Sequence, residues 1–316
     1  MPCSNEKKEF TEEDITDLAG YVILVTGGGA GVGYETTYQL AIKGARVYIG
    51  GRSEERVSAA IQKMNEAADR ELDLHFLKLD LENLKSLKAA LVDFSSREAC
   101  LDILINNAGI MNVPYELTVD GFERQWQVNY VSPHILDQLF LQHLLTAASI
   151  HERQDRVRIV HVSSGLARMG PDSIQLTDPN MPTAKGALAP RNRYCHSKQA
   201  TIRDAWEFNK RYSEKGVTAY SVHPGIIRTN LQDVDTSFIG ALSRTVVGFA
   251  GVTPLEGCRN TLYCATSAQA PATGQGRFFW PVGKIYDSRE IWFTDDKVNS
   301  ALWEHGQTQL RRIGGV

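Results

Sequence analysis

The sequence has no excess of basic charge: 34 lysines and arginines stand against 37 aspartates and glutamates, a net of −3. Nucleic acid and anionic membranes both select a basic face, so neither is an expected partner. Cysteine is scarce. Five thiols (Cys3, Cys100, Cys195, Cys258, Cys264) form no C-x-x-C pair and are odd in number. That excludes a disulfide framework or a cysteine zinc site and predicts reduced thiols in the cytoplasm. No H-E-x-x-H occurs among the eight histidines, and no metal is expected. No apolar run approaches the roughly 18 to 20 residues that span a bilayer, and the N-terminus shows no signal-peptide core. Repeats, low-complexity tracts and Pro/Gly-rich linkers are missing too. One domain is therefore expected over residues 20–316, preceded by a polar, solvated arm at 1–19.

What is present is ordinary for a globular protein: 316 residues, 42% hydrophobic and 22% charged. Short apolar runs alternate with longer amphipathic ones, the βαβ signature of a doubly wound parallel sheet. The runs that read as strands are 22–26, 47–50, 74–79, 103–106, 158–162, 218–222 and 277–280. They do not alternate with polar residues, as suits strands covered by helices on both faces. Helices are expected near 33–43, 53–68, 84–98, 120–149, 193–214 and 254–266. The fold class is α/β: a Rossmann-type sheet of about seven strands in a single domain. Residues 165–192, rich in Gly and Pro, and the apolar stretch 230–253 read as loops that form the substrate walls.

The strongest motif is Thr26-Gly27-Gly28-Gly29-Ala30-Gly31-Val32-Gly33, which follows a strand and opens a helix. Glycines there let the backbone approach a pyrophosphate, which sits on the free N–H groups of the helix N-terminus. The next strand ends at Gly50, where enzymes using NAD commonly place a carboxylate against the ribose hydroxyls. This chain has Gly51 and Arg52 instead. A guanidinium grips a 2′-phosphate, so NADP(H) is expected over NAD(H).

Tyr194-Cys-His-Ser-Lys198 opens a predicted helix and stacks Tyr194 and Lys198 at i and i+4 on one face. A phenol is a poor acid–base catalyst at neutral pH unless a neighbouring positive charge favours its phenolate. With the glycine motif, this pattern resembles the short-chain dehydrogenases/reductases, over residues 20 to 310. The nearest likeness is to the retinol-dehydrogenase-like members, whose active-site helix often reads Y-C-H-S-K.

The resemblance implies a division of labour. Ser164 (of Ser163-Ser164) would donate to the substrate oxygen, Tyr194 transfer the proton, and Lys198 hold the nicotinamide ribose and lower the tyrosine pKa. Asn129 would hold a water that connects Lys198 to solvent. Cofactor contacts would come from Gly27, Gly31, Val32, Gly33, Arg52, Asp80, Leu81, Asn107, Ala108, Gly109, Tyr194, Lys198, Pro224, Gly225, Ile227 and Thr229. The family also departs from this chain: Asn and Ser often stand where Gly29 and Ala30 are, Tyr34 is unusual, and the N-terminal membrane helix of several retinol dehydrogenases is missing. No membrane span is expected.

Proline has no N–H, so Pro133 should deprive the Asn129 carbonyl of its i+4 partner, kink the helix and free that carbonyl for an ordered water. The long helix is apolar on nearly every face, so a partner subunit is expected to cover the side away from the sheet, giving a homodimer or homotetramer. The apolar stretch 230–253 points to a small lipophilic ketone, aldehyde or alcohol as substrate. The alternatives are an NADP(H)-binding sensor and a non-redox biosynthetic enzyme on the same fold.

Overall fold

The computed structural model describes residues 9–150, 155–171, 173–227, 251–286 and 294–314. The strands are β1 (Val22–Thr26), β2 (Arg46–Gly51), β3 (Leu74–Lys78), β4 (Ile103–Asn106), β5 (Val157–Val162), β6 (Val217–Val222), β7 (Phe278–Trp280) and β8 (Lys284–Ile285). They form one sheet in the order β3-β2-β1-β4-β5-β6-β7-β8. Every pair is parallel except the last, where β8 folds back antiparallel on β7. This short eighth strand was not expected; two residues carry too little pattern to read.

Along β1, Ile23 and Val25 enter one core with Leu40, Val160 and Leu262, while Leu24 enters the other with Leu104, Ile159 and Trp126. Both faces are covered by helices, which is why the strand is apolar throughout. The helices are α1 (Gly31–Ile42), α2 (Glu54–Ala68), α3 (Leu84–Ser95), α4 (Arg124–Trp126), α5 (Ser132–Leu139), α6 (Leu141–Ile150), α7 (Ala189–Tyr212), α8 (Pro254–Thr266), α9 (Ala270–Gly274) and α10 (Asp296–Arg312). The strand order reverses between β1 and β4, leaving a crevice at their carboxyl ends, the usual ligand position in such sheets.

Four expectations need correction. The helix expected at 120–149 is broken: a π-helical turn, Gln127–Val131, joins α4 to α5, and α5 ends before α6 begins. The arm is not wholly solvated. Ile15 and Leu18 are 4% and 2% exposed, Leu18 N–H donates to Lys43 O at 2.8 Å, and Glu12 grips Arg259 through both oxygens at 2.9 and 3.3 Å. The loop expected at 165–192 is helical at both ends, with a 3-10 turn at Gly165–Met169 and α7 beginning at Ala189.

The fourth concerns α10, which was not foreseen and covers the face assigned to a partner subunit. Trp303 packs edge-on to His134 of α5 at 4.9 Å and lies under the Arg211 guanidinium of α7. Leu302 O accepts from the Tyr130 hydroxyl at 2.7 Å, and Asn299 accepts from Arg203 at 2.8 Å. The stated ground for a homodimer or homotetramer therefore falls away. A Cβ on Gly306 would collide with the His134 ring, so this mid-helix glycine is what lets α10 approach α5.

Candidate active site

The loop after β1 crosses the crevice at the open end of α1. Ala30 caps that helix with no side-chain hydrogen bond, and Gly27 and Gly31 take positive φ, +65° and +54°. A Cβ on Gly33 would run into Gly27 O and Asn107 Nδ2. At Gly28 and Gly33 the turn is packed closely enough that only bare backbone fits, a geometry suited to a pyrophosphate. The end of β4 is tied to it: Asn107 Nδ2 donates to Thr26 O at 2.9 Å, and Ala108 N–H donates to Thr26 Oγ1 at 3.0 Å. Val32, in the first turn of α1, packs against the core and accepts at its carbonyl from the Thr36 hydroxyl.

Around the crevice, Asp80 anchors a turn, its N–H donating to Ser86 Oγ and its Oδ1 accepting from Glu82 N–H. Leu81 is buried, and its carbonyl accepts from Gln127 and from Ser132. Arg52 is 63% exposed, 3.6 Å from Glu82, whose closer partner is Arg124 at 2.9 Å. Across the crevice, Pro224 and Gly225 follow β6, and Ile227 bridges to Val252. Thr229 and residues 230–250 lie outside the described residues.

α7 brings Tyr194 and Lys198 beneath the end of β5. The serine pair divides cleanly. Ser163 Oγ donates to Lys198 O at 2.9 Å, turned into the protein. Ser164 Oγ accepts from Leu166 N–H at 3.2 Å and is the polar side chain beside the Tyr194 phenol. Burial pushes the Tyr194 phenol up to about 12, and the Ser164 hydroxyl beside it works against that rise. Burial lowers the Lys198 ammonium to about 8. Lys198 Nζ donates to Val162 O at 2.8 Å and lies 5.9 Å from the Tyr194 ring centre. The sequence assigned the lowering of the tyrosine pKa to Lys198; among this chain's own groups, the one opposing burial at the hydroxyl is Ser164.

Asn129 sits in the π-helical turn, and Gly109 makes room for it. A Cβ at Gly109 would lie 3.1 Å from Asn129 Oδ1 and 3.2 Å from Lys198 Nζ. Asn129 Oδ1 accepts from Ile110 N–H at 2.9 Å, while Nδ2 donates to Ile110 O at 3.0 Å and to Ser197 Oγ at 2.9 Å. The helix departs from α geometry just before Pro133, as expected. The Thr201 hydroxyl lies 2.9 Å from the Asn129 carbonyl and 3.0 Å from Ser197 O, so its one proton fills at most one of the two acceptor sites on the Asn129 carbonyl.

Comparison with known proteins agrees with this geometry. The family pattern described as short chain dehydrogenase matches residues 21–176. An uncharacterized oxidoreductase of Schizosaccharomyces pombe is 40% identical over 83% of this chain and 76% of its own. The chain is a short-chain dehydrogenase/reductase. Human retinol dehydrogenase 12 is 33% identical over 90% of this chain and 85% of its own length. Among solved structures, an uncharacterized protein from Mycobacterium paratuberculosis superposes with a TM-score of 0.72 at 28% identity, over 96% of this chain and 98% of that one. Like its family, this dehydrogenase/reductase is an oxidoreductase that uses a nicotinamide dinucleotide and acts on CH–OH and C=O groups.

Several supporting residues of the dehydrogenase/reductase were missed in the sequence. Thr201 and Ser197, one helical turn apart on α7, hold Asn129 from below; nothing but a side-chain direction identifies them. Behind Lys198 lies a buried polar brace. Asp137 Oδ2 is 3.0 Å from His161 Nε2, Asn106 Nδ2 donates to Asp137 Oδ1 at 2.8 Å, and His134 pairs with Asp204 at 2.8 Å. Burial disfavours the His161 imidazolium, but the Asp137 carboxylate beside it prevails and holds its pKa above the ordinary value. Asp137, His161 and Asp204 have metal-ligating side chains close together; Asn106 and His134 already occupy the carboxylates, and the group joins α5, β4, β5 and α7.

Proposed function

We propose that this enzyme is an NADP(H)-dependent oxidoreductase that reduces a lipophilic ketone or aldehyde, or oxidises the matching alcohol, with Tyr194 as general acid/base. The observation that carries the reading is the placement of Tyr194 beside Ser164, with the buried Lys198 ammonium 5.9 Å from the Tyr194 ring centre, at the crevice edge. Ser164 and Tyr194 present two hydroxyls to one substrate oxygen, so the developing negative charge is met by two donors. Tyr194 passes its proton to that oxygen, and Lys198 supplies a fixed positive charge one turn below. Asn129, locked by Ile110, Ser197 and Thr201, keeps Lys198 and Gly109 in register. When bound, the nicotinamide supplies or accepts the hydride and, oxidised, adds a positive charge that favours the phenolate.

The glycine cradle, Asp80, Leu81, Asn107, Ala108, Gly109, Pro224, Gly225, Ile227 and Thr229 would hold the dinucleotide. Arg52, exposed at the ribose end with the Lys78 ammonium bonded to its carbonyl, supports the choice of the 2′-phosphate form. A lipophilic substrate is supported by exposed apolar side chains on the loops after β4, β5 and β6, namely Tyr115, Leu117, Val119, Met169, Leu188 and Ile226. A cytoplasmic setting is supported by unpaired Cys100, Cys195, Cys258 and Cys264; among the described residues no helix is long and apolar enough to cross a membrane.

The test is turnover of a panel of lipophilic aldehydes and ketones with NADPH and with NADH. The reading expects NADPH to be preferred, and Arg52→Ala to cut that preference on the order of tenfold or more while leaving NADH turnover unchanged. Equal use of the two cofactors by the unaltered enzyme defeats the cofactor assignment. Tight NADPH binding without turnover of any panel member favours a sensor or a non-redox enzyme.

A further inference from the structure

The loop that follows Ser164 runs back across the catalytic helix, and two side chains of that helix fasten it. Gln175 N–H donates to His196 Nε2 at 3.0 Å, and Gln199 Nε2 donates to Pro171 O at 3.0 Å. His196 and Gln199 are three residues apart, on one face of α7, and they bracket Lys198 in the sequence. Neither is free to swing. His196 lies flat on the Trp126 ring, centroids 4.5 Å apart and planes 10° apart. Gln199 is buried with its amide against Gly170, where a Cβ would come within 2.7 Å. The loop has two further anchors. Ile174 is buried in the core with Trp126 and Ala200, and Asn180 accepts from Glu123 N–H at 2.8 Å and donates to Gly121 O at 3.1 Å.

A segment held at four places, two of them side chains of the helix that carries Tyr194 and Lys198, is a wall, since closing or opening it would break several hydrogen bonds at once. We propose that His196 and Gln199 are positioning residues which lock the substrate-site wall formed by Pro171 and Ser173–Asn180 in register with the Tyr194 hydroxyl. The inference rests on the oxidoreductase reading above for its substrate, though not for the anchor itself. The chemistry of the anchor is consistent: burial, with His305 nearby, lowers the His196 pKa to about 3, so the ring stays neutral and Nε2 remains an acceptor at any working pH. An imidazolium has no acceptor and would break the bond to Gln175.

Two variants and two readouts test this. His196→Leu removes the acceptor, and His196→Gln restores one at a similar reach. In His196→Leu, hydrogen exchange at the Gln175 amide is expected to speed up by about tenfold. Substrate KM is expected to rise by about tenfold, with kcat changing less and NADPH affinity unchanged, and His196→Gln to recover most of both. Gln199→Met, which loses only the Pro171 bond, serves if His196→Leu does not fold, with the amides near Pro171 and KM as its readouts. Unchanged exchange in the folded variant overturns the anchor. Faster exchange with unchanged KM overturns its role in positioning substrate, and NADPH affinity falling in step with KM shows that the helix as a whole was damaged and overturns it too. An unaltered protein that binds NADPH but turns nothing over defeats the oxidoreductase reading instead, and the exchange result alone then decides the anchor.

Discussion

At the scale of the residue, the site is a set of buried polar groups whose charges burial has adjusted. The Tyr194 phenol, at about 12, keeps its proton through the neutral range. Lys198, at about 8, is the group that changes state near working pH, because burial penalises its ammonium. Reduction needs the phenol protonated and the ammonium charged. Its rate is therefore expected to hold below pH 8 and to fall as pH rises through about 8, where Lys198 loses its proton. Lys198→Arg, charged throughout, should move that decline to higher pH whatever its effect on the plateau. A pH–rate profile checks this, and an identical alkaline limb in both proteins would contradict the assignment. The Tyr194–Lys198 spacing was legible because i and i+4 lie on one helix face. The choice between Ser163 and Ser164 was legible only by family resemblance; the structure separates them by direction, one hydroxyl meeting the Lys198 carbonyl and the other lying beside the tyrosine. The fate of the Asn129 carbonyl was half legible. Pro133 announces the irregular turn; that Thr201, 72 residues along the chain, lies against the same carbonyl is carried by no local pattern.

At the scale of the element, strands β1 and β4 were read to their end residues because both faces are buried and the runs are bounded by turn formers. Helix α8 was read as well, its Thr253–Glu256 capping box and Pro254 marking the start. The failures have physical causes. α10 hides its apolar stripe (Val298, Leu302, Trp303, Leu310) among polar residues, with a glycine in the middle that ordinarily argues against a helix. That glycine is required by the His134 ring, a tertiary contact. The π-helical turn hides because a π bulge changes no residue type, only the hydrogen-bond register. The arm misled because six acidic residues in the first 19 mask Ile15 and Leu18, which fill a gap at the base of the sheet.

At the scale of the molecule, α10 decides what the helical layer shows to solvent. An apolar face on α5 and α7 would call for a second subunit, but Leu302, Trp303 and Leu310 fill it from within the chain. The protein is expected to be a monomer at micromolar concentration, by light scattering after size exclusion. A dimer whose interface maps to α5 and α7 would contradict this. The sheet then has one task, to bring the ends of β1, β4, β5 and β6 to one crevice, with the cradle on one side and Tyr194 on the other. The claim on which the rest depends is that Tyr194 moves the proton. Its most direct test is Tyr194→Phe, measured for NADPH binding and for carbonyl reduction in the same preparation. The variant should bind NADPH as before and lose on the order of 10²- to 10⁴-fold in kcat. Reduction that continues at an undiminished rate without the hydroxyl would show that another group supplies the proton and that the site is misassigned.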